Sequence, residues 1–108
     1  LASLEQAVAH MTDVPARYFG LVGRGRIAEG FHADLVVFDP DTIGADGLSL
    51  HNDLPGESPR LYAEAVGIQK VFVNGVLAVD DGEATGALPG VVLRSGSHTE
   101  TVPIPADA

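Results

Sequence analysis

The chain has 108 residues, room for one small domain and too little for a complete large enzyme. Six Lys and Arg against fifteen Asp and Glu give a formal charge of −9, which repels polyanions and argues against nucleic-acid binding. The absence of Cys excludes disulfides and thiolate metal sites and makes a cytoplasmic location the expectation, while no apolar run approaches the ~20 residues of a membrane span.

The sequence opens on Leu1, with neither Met nor a signal-like leader, so a piece of a longer protein is expected. Ser3 and Gln6 have capping-box spacing, and Leu4, Ala7, Val8 and Met11 line one helical face, which predicts a short helix over 4–11. Thr12 or Asp13 can cap a second helix, with Pro15 near its start and Gly20 as the left-handed residue that ends it. Helices this short are marginal in water, so their apolar faces imply a neighbouring surface.

Leu35-Val36-Val37-Phe38, closed by Asp39-Pro40-Asp41, reads as a strand buried on both faces. Residues 44–67, broken by Pro55-Gly56 and Ser58-Pro59, read as a long loop with a helical turn from Arg60 to Val66. Asn74-Gly75 between the apolar runs 71–73 and 76–79 predicts a type I′ hairpin. Asp80-Asp81-Gly82-Glu83 makes a further turn, Val91–Arg94 a last short strand, and the rest an unpatterned, mobile tail. The expected fold is mainly β (α+β): a helical segment at 1–22, a β portion at 23–94 with its hairpin at 71–79, and a tail at 95–108.

Candidate chemistry is sparse. His10, His32, His51 and His98 are far apart and form neither H-x-H nor H-E-x-x-H, so no local metal site is expected. His32 and Asp34, at i and i+2, offer two ligands at most; the stronger reading has Asp34 accepting backbone N–H groups in the turn before the strand. Gly23-Arg24-Gly25-Arg26-Ile27-Ala28 fits a dinucleotide-binding pattern, but it lacks the strand before and the helix after that the pyrophosphate site requires. Its glycines are expected in tight turns, with Arg24 and Arg26 solvated. Ser49 and His51 lack a nucleophile-elbow context and read as loop polarity, and Asn52, Asp53, Glu57 and Arg60 are candidates for the polar edge of a neighbouring pocket. The acidic excess between residues 28 and 59 reads as a solvated face.

A resemblance runs through nearly the whole chain. Val14-Pro15-Ala16-Arg17, Gly25-Arg26-Ile27-Ala28-Glu29-Gly30 and Ala33-Asp34-Leu35-Val36-Val37-Phe38-Asp39-Pro40 resemble, in order, the C-terminal segment of metal-dependent amidohydrolases. Val71-Phe72-Val73-Asn74-Gly75-Val76 and the ending Thr85-Gly86-Ala87-Leu88-Pro89-Gly90 before Val92-Leu93-Arg94 are similar to the N-acyl-D-amino-acid deacylase branch. The resemblance implies a (β/α)8 barrel carrying the active site beside a small β-sandwich. Residues 1 to about 20 would be the last barrel helices and residues 24 to about 94 the C-terminal share of the sandwich. It further implies zinc in the parent enzyme, polarising an amide carbonyl and activating water. The barrel motifs that supply the ligands are not in this sequence, so no catalytic, cofactor-binding or metal residue is assigned to it. The implied partner is the rest of the same polypeptide, with self-association a further expectation because incomplete sheets expose edges and apolar faces. The rival readings are a free-standing β module with a binding role and an amidohydrolase of cyclic amides.

Overall fold

A computed structural model describes residues 2–103, and by contact the chain divides into two units. The first gathers the residues up to Asp34, Val73–Val76 and those from Pro89 onward; the second comprises Leu35–Phe72 and Leu77–Leu88.

In the first unit, α1 (Leu4–Met11) and α2 (Asp13–Tyr18) form where the sequence predicts them. The Ser3 hydroxyl accepts from the Gln6 N–H, and the Gln6 side chain accepts from the Ser3 N–H, so two orphan donors of α1 are satisfied reciprocally. At α2 the Thr12 side chain does not cap; its hydroxyl donates to the Val8 carbonyl at 2.8 Å, joining the second helix to the end of the first. The C-terminus of α2 is a full Schellman motif. Gly20 has φ of 65°, its N–H donates to the Arg17 carbonyl, and the Leu21 N–H reaches back to Ala16 at 2.8 Å.

The tail, unpatterned in sequence, is engaged in this unit. Leu21 and Thr99 form an antiparallel bridge, the Val22 N–H donates to the His98 carbonyl at 3.0 Å, and the Glu100 N–H donates to Gly20 at 2.7 Å. The part of the tail expectation that falls on 104–108 lies outside the described residues. The expected strand at Val91–Arg94 does not form: this stretch has no ladder partner among the described residues, and Val91 and Val92 are exposed. Apolar β-branched residues favour a strand only where an edge is available to pair with them.

β1 (Leu35–Phe38), β6 (Ile68–Val73), β7 (Val76–Asp80) and β8 (Glu83–Ala84) form one sheet in the order β1-β6-β7-β8, all of it but Val73 and Val76 assigned to the second unit. Pairing of β1 with β6 is antiparallel, Leu35 opposite Phe72 and Val36 opposite Val71, with a register shift after Val37. Asn74 (φ 49°) and Gly75 (φ 80°) make the left-handed pair that the type I′ turn between β6 and β7 demands. Asp81 and Gly82 repeat the device, setting Asp80 opposite Glu83 and creating a short strand, β8, not read from the sequence. The Asp39 side chain accepts from the Asp41 N–H and its carbonyl from the Ile43 N–H, which turns the chain after β1 as expected.

Burial of β1 on both faces does not hold within this chain. Val36 is 53% exposed and Val37 43%, because β1 is an edge strand and nothing in these residues covers it. Residues 44–67 are not a loop with a helical turn. They form β2 (Gly44–Ala45), β3 (Ser49–Leu54), a 3-10 turn (Pro55–Glu57), β4 (Ser58–Tyr62) and β5 (Ala65–Val66), two nested antiparallel pairs. Pro55-Gly56 lie in the turn of a long hairpin, and Arg60–Tyr62 is strand. In β3 and β4 only His51 and Arg60 are partly covered, so neither strand shows the alternation that burying one face imposes.

Candidate functional site

Polar side chains converge in two places. In the first unit they centre on Arg24, whose side chain is 12% exposed. Its guanidinium pairs with the Asp34 carboxylate and donates to the Asn74 side-chain oxygen at 2.9 Å. The other Asp34 oxygen accepts the Asn74 N–H at 2.8 Å, and the Asn74 amide donates to the Pro89 carbonyl at 2.8 Å. The Gly75 N–H donates to Ala33 at 2.9 Å. Four separate stretches, at residues 24, 33–34, 74–75 and 89, are thereby tied into one knot. Partial burial pushes the Asp34 carboxyl up, but the Asn74 N–H and the bond and charge of Arg24 outweigh it and hold the group below the ordinary aspartate range.

The Asp34 expectation is met in kind but not in place, since its backbone donor is forty residues away in the hairpin turn rather than local. Arg24 is not solvated, whereas Arg26 is exposed as expected and the turn reading of the glycines holds. Gly23 and Gly25 have φ of 65° and 89°, and a Cβ on Gly25 would lie 2.4 Å from that of Ala16, so glycine lets this loop lie against α2. Arg26 stacks over the Phe31 ring, 5.2 Å from its centroid. Sequence reasoning missed Arg24 and Asn74 as partners of Asp34. The available signal was that Asp34 and Asn74 both lie in segments that carry the resemblance.

In the second unit a polar row crosses the β3–β4 hairpin, where Ser49 pairs with Tyr62 and His51 with Arg60. The Ser49 hydroxyl lies 3.0 Å from His51 Nε2 and donates to the Tyr62 carbonyl at 3.3 Å. The His51 and Tyr62 rings are 5.0 Å apart, Arg60 stacks on Tyr62 at 4.9 Å, and Arg60 grips Asp53 through two bonds of 2.7 Å. Hydrogen bonding to Arg60 lowers the Asp53 carboxyl, and the same bond raises Arg60. Of the pocket-edge candidates, the structure joins Asp53 to Arg60; Asn52 is exposed, and Glu57 holds a left-handed turn position at φ 54°. The Ser–His spacing has the reach of a nucleophile and base, but the pair lies within β3 on an exposed hairpin face rather than in a water-excluding recess, and each member contacts Tyr62 across the hairpin.

An open recess of about 520 Å³ in the same unit is floored by Val36, Ile68, Val71 and Val79, with Glu64 and Glu83 at its border. Among the described residues no three His, Asp or Glu side chains group closely enough to hold a metal ion, so these residues do not fit a zinc centre. No helix among them is long and apolar enough to cross a membrane.

Comparison with known proteins extends this picture. The chain is 41% identical to the N-acyl-D-glutamate deacylase of Alcaligenes xylosoxydans xylosoxydans over 103 residues, 95% of this chain and 19% of that protein. It is 42% identical to the N-acyl-D-aspartate deacylase of the same organism, over 89% of this chain and 18% of the relative. Identity to its D-aminoacylase is also 42%, over 86% and 17%. The chain thus spans less than a fifth of the length of these relatives. No solved structure matches it significantly. A family model described as "Amidohydrolase family" matches residues 1–79, and the chain belongs to that family.

Proposed function

We propose that the chain is the C-terminal, non-catalytic portion of a zinc-dependent amidohydrolase that hydrolyses the amide of N-acyl-D-amino acids. The carrying observation is the identity of 41–42% to three deacylases whose names specify D-amino acids, over most of this chain. Residues outside these 108 would hold the zinc, since the described ones offer no ligand set. In this reading the cytoplasmic parent carries a barrel, and α1 and α2 are its last helices. The strands form the C-terminal share of the small β-sandwich, and the rest of the polypeptide is their partner.

The exposed surface supports that partnership. Ala16 is the one buried hydrophobic side chain among the described residues, while Leu50, Leu61, Val76, Leu88 and Val92 stand open, an apolar exposure of the kind that marks an interaction surface. The test is a substrate panel on the full-length parent: N-acetyl-D-glutamate, N-acetyl-D-aspartate and neutral N-acetyl-D-amino acids, their L enantiomers, and hydantoin. Release of acetate from D substrates, abolished by a chelator and restored by zinc, is expected. Preference for L substrates or for ring opening would assign the parent to another branch.

A further inference from the structure

Asn or Asp precedes Gly at three places, Asp46-Gly47, Asn74-Gly75 and Asp81-Gly82, and each such pair can close on itself chemically. In an unfolded chain near neutral pH Asn-Gly reacts fastest, because the Asn amide is neutral whereas the Asp side chain is almost wholly the unreactive carboxylate. The structure places the three pairs in different surroundings. Asn74 is clamped at both ends of its side chain, by Arg24 on the oxygen and the Pro89 carbonyl on the nitrogen. The Gly75 nitrogen that would attack is committed to the Ala33 carbonyl at 2.9 Å. Asp81 is fixed in a left-handed turn, φ 48°, with its N–H on the Gln69 carbonyl, so ring closure there would break the β7–β8 hairpin.

Asp46 and Gly47 are held more lightly: the Asp46 N–H donates to the Glu64 carbonyl at 2.8 Å, but among the described residues the Asp46 side chain and the Gly47 N–H engage only each other. Both are exposed between β2 and β3, and the Gly47 N–H points at Asp46 Oδ1, 2.7 Å away, which brings the carboxyl group against the nitrogen. Gly47 has no side chain to shield the approach, and open space surrounds the position where a Cβ would stand. We propose that Asp46-Gly47 is a site of spontaneous isoaspartate formation in the folded protein, while Asn74-Gly75 is protected from deamidation by its hydrogen bonds. The Gly47 nitrogen attacks Cγ of the protonated Asp46 side chain. The N–Cγ bond forms as the N–H proton passes to water, and the Cγ–OH bond breaks with loss of one water, giving a five-membered succinimide. Water then opens the ring at either carbonyl. Opening at the main-chain carbonyl routes the backbone through the side-chain carbon, lengthens it by one atom just before Ser49, and leaves a free α-carboxylate. Atoms balance overall, and no oxidant or cofactor is consumed.

The experiment ages the full-length parent in parallel native and urea-unfolded samples. Isoaspartate is labelled with a carboxyl methyltransferase and labelled S-adenosylmethionine, and both sites are read by peptide mapping. In the native sample, label at 46–47 should accumulate ahead of any deamidation of Asn74, and unfolding should reverse that order. Gly47→Val, at a position where an added Cβ meets nothing within 4 Å, should abolish the label at 46–47. Native deamidation of Asn74 that outpaces labelling at 46–47, the same order in both samples, or a label undiminished in Gly47→Val would overturn the proposal.

Discussion

At the residue scale, Asp34 satisfies two groups at once: the largely covered Arg24 guanidinium and a backbone donor of the hairpin turn. Asp34→Asn would leave the Arg24 guanidinium without its charge partner and should loosen the knot by about 1–3 kcal/mol. The measurement is native-state hydrogen exchange at the 71–79 amides of the parent, which should exchange faster while α1 is unaffected. The pH dependence follows from the lowered Asp34 carboxyl. The unfolded chain takes up this proton more readily than the folded one, so the stabilisation is complete above the ordinary aspartate range. It is lost as the pH falls through the lower folded value. The difference between wild type and Asp34→Asn should therefore shrink in acid and stay constant near neutrality.

At the scale of elements, legibility in the sequence depended on whether a local rule or a distant partner fixed the structure. The capping box at Ser3 and Gln6, the Schellman end at Gly20 and the Asn74-Gly75 turn are local devices, and each formed where the residues predict it. The β3–β4 hairpin went unread because nearly all its residues are exposed, so burial imprints no alternation on Ser49–Leu54. Val91–Arg94 is the opposite case: it has strand composition but pairs with no strand among the described residues. Arg24 was unreadable because its partners lie ten and fifty residues away. Two glycines of like backbone but different surroundings separate the causes of strain. Gly25→Ala drives a methyl into Ala16 and the Thr12 carbonyl and should cost about 1–3 kcal/mol in overpacking beyond its left-handed penalty. Gly30→Ala, with φ of 79° and nothing within 4 Å, should cost only the left-handed penalty of about 1–2 kcal/mol. Hydrogen exchange of the α2 amides in each variant distinguishes them, with the larger acceleration expected in Gly25→Ala.

For the whole molecule, an acidic chain with net charge −9 nonetheless leaves many large apolar side chains open, among them Ile27 at 88% and Leu88 at 95% exposure. Such surface is stable in water only when covered. The isolated 108 residues should therefore bind an apolar dye strongly and self-associate in sedimentation, more so at high salt, where screening relieves the repulsion between acidic copies. The full-length parent should do neither. The central claim is a division of labour, in which these residues support an N-acyl-D-amino-acid hydrolase whose chemistry lies elsewhere in the polypeptide. Its most direct test assays the purified 108-residue chain beside the full-length parent on the same N-acyl-D-amino acids with zinc supplied. The account predicts turnover by the parent and none by the chain alone; turnover by the isolated chain that survives removal of contaminating enzyme would contradict it.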